Sequence, residues 1–398
     1  MSPTEKLTDT IERQLEVENS VQDIYDDILE QGSDKFPPLH RKAHLRYTNL
    51  FLHRPLTPAF SKLDASHPWI IYWLLNATLL LGGTIDSEVK SQVATDILSY
   101  VVEDEGGIGG GYGQLSHLAS TYAGLLSLVL IGDKEDFQKL DRTKIYRWLL
   151  SLKRENGSFS MHLDGEADCR AVYCALCIAS MLDIIDDELI KGTADWLASC
   201  QTYEGGFSGE PSDEAHGGYT YCAIASLCIL FSPSKVKELI DVDSLVRWTA
   251  SRQYPIEGGL SGRTNKLVDG CYSHWVGGMS ALLECVSGER QVLRRVSLQN
   301  YILCCCQGET FGLIDKPGCA PDFYHTNYVL CGLSMCQYYQ VYDEKKAERQ
   351  GCAFGYRSVR IGDGDVVDNF ERNKVLPMDP IFGVPEGYVD WLRATRKD

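Results

Sequence analysis

Positive charge is the scarce commodity in this chain. Against 55 Asp and Glu stand 38 Lys and Arg, a formal net charge of −17, which argues against nucleic-acid binding as the main business. No apolar run is long enough to cross a bilayer. The longest, residues 69–81, is broken by Asn76 and falls short of the roughly 20 residues a spanning helix needs. The first 20 residues are polar and charged, without the apolar core of a secretory signal. Cysteine is plentiful at 15, yet odd in number and set in apolar runs such as Cys174, Cys177, Cys222, Cys228 and Cys304 to Cys306. That usage suits reduced core thiols and not a disulfide framework. Sustained period-two alternation is also missing, so few strands are expected. What these absences leave is a soluble, cytoplasmic, almost all-α chain, with 44% hydrophobic residues to build a large core.

What is present is repetition. Glycine turns recur as Gly110-Gly111-Tyr112-Gly113, Gly157-Ser158-Phe159, Gly205-Gly206-Phe207, Gly258-Gly259-Leu260 and Phe311-Gly312-Leu313, at intervals of about 50 residues, which points to stacked supersecondary units. The segment before a turn often carries an aromatic (Trp148, Trp196, Trp248, Tyr301), and a polar string and an apolar segment follow each turn. The apolar segments 122–131, 171–182, 219–231, 272–285 and 324–338 read as helices by length. Aligning Tyr72, Tyr122, Tyr173, Tyr221, His274 and Tyr328 gives six registers. Three residues earlier stand Trp69, Ala119, Arg170, Gly218, Cys271 and His325; two before those stand His67, His117, Asp168, His216, Asp269 and Phe323. Six helix pairs closing into a ring would gather these strings at one end of a central cavity. Residues 1–35, rich in acids and helix formers, read as a mobile or partner-binding arm outside the repeats.

Chemistry concentrates on the strings. Asp269, Cys271 and His325 offer one oxygen, one sulfur and one nitrogen, and three protein ligands with an open fourth position is the pattern of catalytic zinc. The plainer alternative makes Cys271 a core thiol and Asp269 a helix cap. Arg263, Lys266, His216 and Tyr272, with Arg170, could together hold a diphosphate; singly, Arg263 and Lys266 could equally be solvated surface charges. Trp69, Trp73, Tyr122, Tyr173, Tyr219, Trp275, Tyr324 and Tyr328 fall near the same helix starts. They are either ordinary core or, with Gly218 and Cys222 leaving room, the wall of a funnel for a long apolar ligand.

On these strings the chain resembles the β subunits of protein farnesyltransferases, within the protein prenyltransferase β-subunit family, over about residues 36–385. The resemblance is carried by His67-Pro68-Trp69, Asp168-Cys169-Arg170, the string from Glu214 to Thr220, the stretch from Gly258 to Trp275, Asp315-Lys316-Pro317-Gly318 and the string from Asp322 to Thr326. It implies an α–α barrel (toroid) of six helix pairs with a central cavity, residues 386–398 forming a tail. It implies Zn²⁺ on Asp269, Cys271 and His325. The diphosphate of farnesyl diphosphate would lie on His216, Arg263, Lys266 and Tyr272, assisted by a lysine of an α subunit. Lys266 and Tyr272 would join the zinc set in catalysis. The lipid would be lined by Trp69, Arg170, Tyr173, Tyr219, Cys222 and Trp275, and a C-terminal Cys-a-a-X peptide, from proteins such as small GTPases, would meet Trp69, Trp73 and Tyr324. Bulky Trp69 and Tyr328 favour farnesyl over the geranylgeranyl relative of type I. Asp315, a carboxylate where that relative has lysine, implies Mg²⁺. Cys169, His274 and Asn327 depart from the animal pattern. A terpene cyclase would need an Asp-rich acidic motif, and a complement-type thioester toroid a Cys-Gly-Glu-Gln string; the sequence has neither.

Overall fold

The structure is a computed structural model that describes residues 8–32, 36–344, 355–362, 367 and 370–394. The parts of the expected arm and tail at 1–7, 33–35 and 395–398 lie outside the described residues. First comes α1 (Asp9–Gln31). Six pairs follow, each an outer helix and then an inner one. They begin with α2 (Arg41–Leu52) and α3 (His67–Leu80), then α4 (Ser87–Ser99) and α5 (Leu118–Ile131). A short α6 (Lys134–Gln138) leads to α7 (Arg142–Leu152) and α8 (Cys169–Leu182), and α9 (Asp187–Ile190) to α10 (Thr193–Ser199) and α11 (Gly217–Leu230). Then come α12 (Pro233–Leu239), α13 (Val242–Ala250), α14 (Tyr272–Ser287), α15 (Arg295–Cys305) and α16 (Phe323–Gln337). A two-stranded antiparallel ribbon, β1 (Tyr338–Tyr342) with β2 (Tyr356–Arg360), precedes α17 (Phe370–Asn373) and α18 (Tyr388–Ala394).

Hydrophobic patterning decides which helices go inside. In α5 every residue but Ala119 is buried, as befits a helix apolar all round. In α7 the buried residues are Ile145, Trp148, Leu149 and Leu152, a one-sided stripe at helical spacing, so it lies outside with its polar face to water. The inner helices α3, α5, α8, α11, α14 and α16 each pack on the next, and α16 packs back on α3, closing the ring. The chain is an α–α toroid.

The glycine turns bring each outer helix back to its inner partner. Isolated bridges Val101↔Ile108, Lys153↔Phe159, Gln201↔Phe207, Gln253↔Leu260 and Gln307↔Leu313 recur at these turns, each next to a glycine of positive φ: Gly106, Gly157, Gly205, Gly258 and Gly312. At Gly205 a Cβ would lie 2.2 Å from the Ser244 carbonyl oxygen, so no side chain fits. The second unit's turn is therefore Gly106-Gly107, not the glycine-rich Gly110 to Gly113, which lies past the bridge.

Two segments set apart in the sequence belong to the body. Helix α1, within the arm read as mobile or partner-binding, buries Val21 and donates from Gln14 to the Glu257 carboxylate and from the Tyr25 hydroxyl to the Glu257 carbonyl (both 2.8 Å). Past residue 385, α18 buries Val389 and Leu392, and Arg393 donates to Ser180 Oγ of α8 at 2.6 Å. The expected tail is thus part of the barrel as far as Ala394.

Candidate metal and anion site at the barrel mouth

The inner helices begin alike. His117 Nδ1 accepts from Ala119 N–H, Asp168 from Arg170 and Ala171 N–H, and His216 Nδ1 from Gly218 N–H, each filling a donor that a helix start leaves unpaired. In the fifth unit Asp269 makes the equivalent bond, Oδ1 accepting from Cys271 N–H at 2.8 Å. Here the helix starts later, at Tyr272, with Cys271 as its cap.

In the sixth unit the alignment needs a one-residue correction. Thr121, Thr220 and Thr326 accept through Oγ1 from the N–H of Ile108, Phe207 and Leu313, the bridge residues of their turns. Thr326 is therefore the counterpart of Thr121, which makes Asn327, not Tyr328, the partner of Tyr122. Asp322 replaces Phe323 in the cap column, and Tyr324, not His325, matches Cys271. His325 still reaches the site because it begins the next step of the helix.

The ligand atoms of Asp269, Cys271 and His325 all lie within 4.8 Å of one another. Asp322 caps α16 through the His325 N–H and takes the His325 Nδ1 hydrogen at 2.7 Å. That pairing leaves Nε2 facing Asp269 Oδ1, 3.3 Å away, buried and outside hydrogen-bond geometry. Burial opposes a charged imidazole, but Asp269 and Asp322 outweigh it and raise His325 to about 10. Burial would raise Asp269, yet the nearby His325 imidazole and then Cys271 hold it below its usual value. Burial, then the Asp269 charge, pushes the Cys271 thiol well up. An orphaned imidazole nitrogen, a thiol and a carboxylate, with the imidazole oriented by a second carboxylate, fit a zinc ion.

Beside this cluster the loop 261–268 folds as a hairpin closed by the bridge Ser261↔Val268, with Asn265 at φ 56° in its tip. Gly217 N–H donates to the Gly262 carbonyl at 2.8 Å, fastening the loop to the start of α11. A Cβ on Gly262 would fall 2.0 Å from Tyr272 Cζ, so the ring of Tyr272 lies directly on the loop backbone. Since His216 Nδ1 is an acceptor, its Nε2 carries the hydrogen and donates to the Tyr272 hydroxyl at 3.1 Å. The Tyr272 hydrogen remains available to a ligand. Burial, then the Arg263 charge, lowers His216 to about 4 and keeps it neutral. Arg263 pairs with Glu214 at 3.2 Å.

Arg263, His216 and Tyr272 open onto one cavity of about 710 Å³. The other residues named for lipid and peptide, Trp69, Trp73, Arg170, Tyr173, Tyr219, Cys222, Trp275, Tyr324 and Tyr328, also line it. Lys266 does not; it stands exposed on the hairpin. The Asp269, Cys271 and His325 cluster adjoins the wall through its chain neighbours Tyr272 and Tyr324, the latter accepting from Trp275 Nε1 at 2.8 Å. Asp315 gives its carbonyl to Gly270 N–H at 2.7 Å and pairs through Oδ2 with Lys316, while its buried Oδ1 has no hydrogen bond. Burial, then Asp269, raises its pKa. Sequence reasoning gave no role to Asp322, Glu214 or Glu166, which also lines the cavity. An aspartate three residues before a ligand histidine was the available signal for the first.

Residues 39–384 match the prenyltransferase alpha-alpha toroid domain family. The protein farnesyltransferase subunit beta of Pyricularia oryzae is 43% identical over 337 residues, covering 78% of this chain and 65% of that relative, which this chain therefore does not span in full. The protein of the same name from Schizosaccharomyces pombe is 38% identical over 361 residues, 89% of each chain. A solved structure, Candida albicans protein geranylgeranyltransferase-I complexed with GGPP, superposes with a TM-score of 0.69 over 89% of this chain and 98% of that one; at 22% identity it speaks to fold alone. With its closed ring of helix pairs and a family match spanning most of its length, the chain belongs to the prenyltransferase alpha-alpha toroid family.

Proposed function

We propose that the chain is the β subunit of a zinc-dependent protein farnesyltransferase, acting in the cytoplasm with a prenyltransferase α subunit on proteins ending in Cys-a-a-X. The observation that carries this reading is the convergence of Asp269, Cys271 and His325 beside an aromatic cavity whose rim bears Arg263, His216 and Tyr272. Relatives from Pyricularia oryzae and Schizosaccharomyces pombe that bear the farnesyl name support it.

Zinc held by Asp269, Cys271 and His325 would supply a Lewis acid able to keep a peptide thiol ionised at neutral pH. The chain's own residues position the other substrate. Trp69, Tyr173 and Trp275 bury the isoprenoid and exclude water. Arg263 gives charge to the diphosphate, with Glu214 as its resting partner. The Tyr272 hydroxyl donates to a diphosphate oxygen while His216 Nε2–H holds that hydroxyl from behind. These donors stabilise the charge that grows as the carbon–oxygen bond of farnesyl diphosphate breaks and the peptide sulfur bonds to carbon. Lys266, exposed on the same hairpin, would add a second positive charge beside Arg263. Asp315, paired with Lys316, would be the carboxylate to hold Mg²⁺, which would neutralise charge on the diphosphate.

Coexpression with an α subunit tests the reading: the complex should retain zinc and transfer farnesyl to a Cys-a-a-X peptide, and Cys271→Ala should lose both. Zinc retention and turnover in that variant would overturn it. Preference for geranylgeranyl diphosphate in the wild type would move the assignment to the type I relative. Trp69→Thr should admit the longer chain, and an unchanged preference would remove Trp69 from that role.

A further inference from the structure

The end of the chain enters the ring from the side where the inner helices finish. Leu376 N–H donates to the Leu80 carbonyl at the end of α3, and Ser334 of α16 donates to the Leu376 carbonyl. The strap then turns within 379–384: Asp379 Oδ1 accepts from the N–H of Ile381 and Phe382 at 2.8 and 3.2 Å, and Asp379 and Val384 close the turn at 2.8 Å. Gly383 adopts φ 71°, and a Cβ there would stand 3.0 Å from the Tyr72 hydroxyl.

Four successive carbonyls of this turn meet four successive inner helices. Tyr221 of α11 donates to the Pro380 carbonyl at 2.9 Å, Tyr173 of α8 to Ile381 at 2.6 Å, Tyr122 of α5 to Phe382 at 2.9 Å and Tyr72 of α3 to Gly383 at 2.6 Å. All four phenols are buried. Two of them, Tyr122 and Tyr173, show their rings to the cavity on the other side, and their hydroxyls touch at 2.9 Å. Unsupported, a buried phenol hydroxyl would seek another partner and the ring would move with it.

We propose that the strap sets the depth of the cavity, and so the isoprenoid length accepted, by holding Tyr122 and Tyr173 in place from behind. Asp379, which is not part of the cavity wall, is then a positioning residue for chain length. The strap fixes the turn, the turn presents the carbonyls, and the carbonyls fix the floor on which the tail of the lipid ends. A floor free to yield by part of an isoprene unit loses discrimination against the longer chain, since each methylene in such a pocket is worth roughly tenfold or more.

This inference rests on the farnesyl reading, so the wild-type α/β complex is assayed first with both diphosphates. Asp379→Ala removes the clip without touching the cavity, and Tyr72→Phe removes one carbonyl partner while keeping its ring. Each should raise the kcat/KM of geranylgeranyl relative to farnesyl diphosphate, Asp379→Ala by about tenfold or more and Tyr72→Phe by less. The affinity of the two diphosphates, read from quenching of tryptophan fluorescence, should shift in parallel. A lower Tm with an unchanged ratio in both variants would make the strap merely structural and overturn the proposal. If Asp379→Ala does not fold, the ratio in Tyr72→Phe decides. No transfer by the wild type would remove the farnesyl reading and the proposal together, whereas wild-type transfer with unmoved variant ratios removes the proposal alone.

Discussion

Asp168 and Asp269 occupy the same position in the third and fifth units, two residues before Arg170 and Cys271, yet their surroundings differ. Asp168 is saturated: Oδ1 takes two backbone N–H groups and the Arg170 Nε hydrogen, and Oδ2 binds the Arg170 guanidinium at 2.5 Å. Asp269 takes one backbone N–H and faces an imidazole nitrogen that has no hydrogen bond. One slot starts a helix, and the other turns its carboxylate toward a histidine of the next unit. What separates them is the residue two positions on, and whether the neighbouring unit supplies a histidine.

The comparison breaks most sharply at the thiol. Cys271→Ala should abolish metal retention, measured on dialysed α/β complex, while Cys169→Ala at the third-unit helix start should not. Next, Asp322→Ala should weaken zinc binding by about 10- to 100-fold in competition with a chelator, because the imidazole loses the carboxylate that orients it. An unchanged affinity would show that the Nδ1 contact is incidental.

Asp168→Ala should act in the opposite sense to any change at Asp269: a loss of about 1–3 kcal/mol of stability, from the unpaired helix donors, with zinc content unaltered. Zinc loss without destabilisation would erase the distinction between the two aspartates.

The smallest effect concerns the same two units one turn deeper. Tyr173 donates to the strap, but its fifth-unit counterpart His274 is buried with Nδ1 unbonded, and burial lowers it to about 3. Its folded pKa lies below the unfolded value of about 6.5, so its contribution is present above that value and is lost as pH falls toward 3. His274→Phe should therefore be more stable than the parent by a margin that grows below pH 6.5, at most about 1.4 kcal/mol per pH unit, in thermal melts from pH 7.5 to 5. A constant margin would mean that His274 is protonated in the folded protein.

Much of this was legible beforehand. Inner helices such as α5 and α11 are apolar on every side, outer ones such as α7 on one, and the turn glycines punctuate them, so the ring could be read from pattern. That Asp269, Cys271 and His325 converge could be read as well, though by an alignment one residue out in the sixth unit. Only the Thr326 bond to Leu313 N–H shows that Asp322 begins that unit and that His325 lies one position past the Cys271 slot. Lys266 looked equal to Arg263 in the sequence, but the hairpin turns at Asn265 and leaves it outside the cavity. The strap carried no signal, because what it offers the tyrosines is backbone carbonyls, which any residue possesses.

By itself the sequence determined the helix pairs, their number and the donor atoms offered at each helix start, because hydrophobic period, glycine and donor atoms are properties of residues. Tertiary structure alone decided which aspartate is spent as a cap and which stays open. It also decided how far the cavity extends, since both depend on hydrogen bonds between units about 50 residues apart or more, where local pattern has no say.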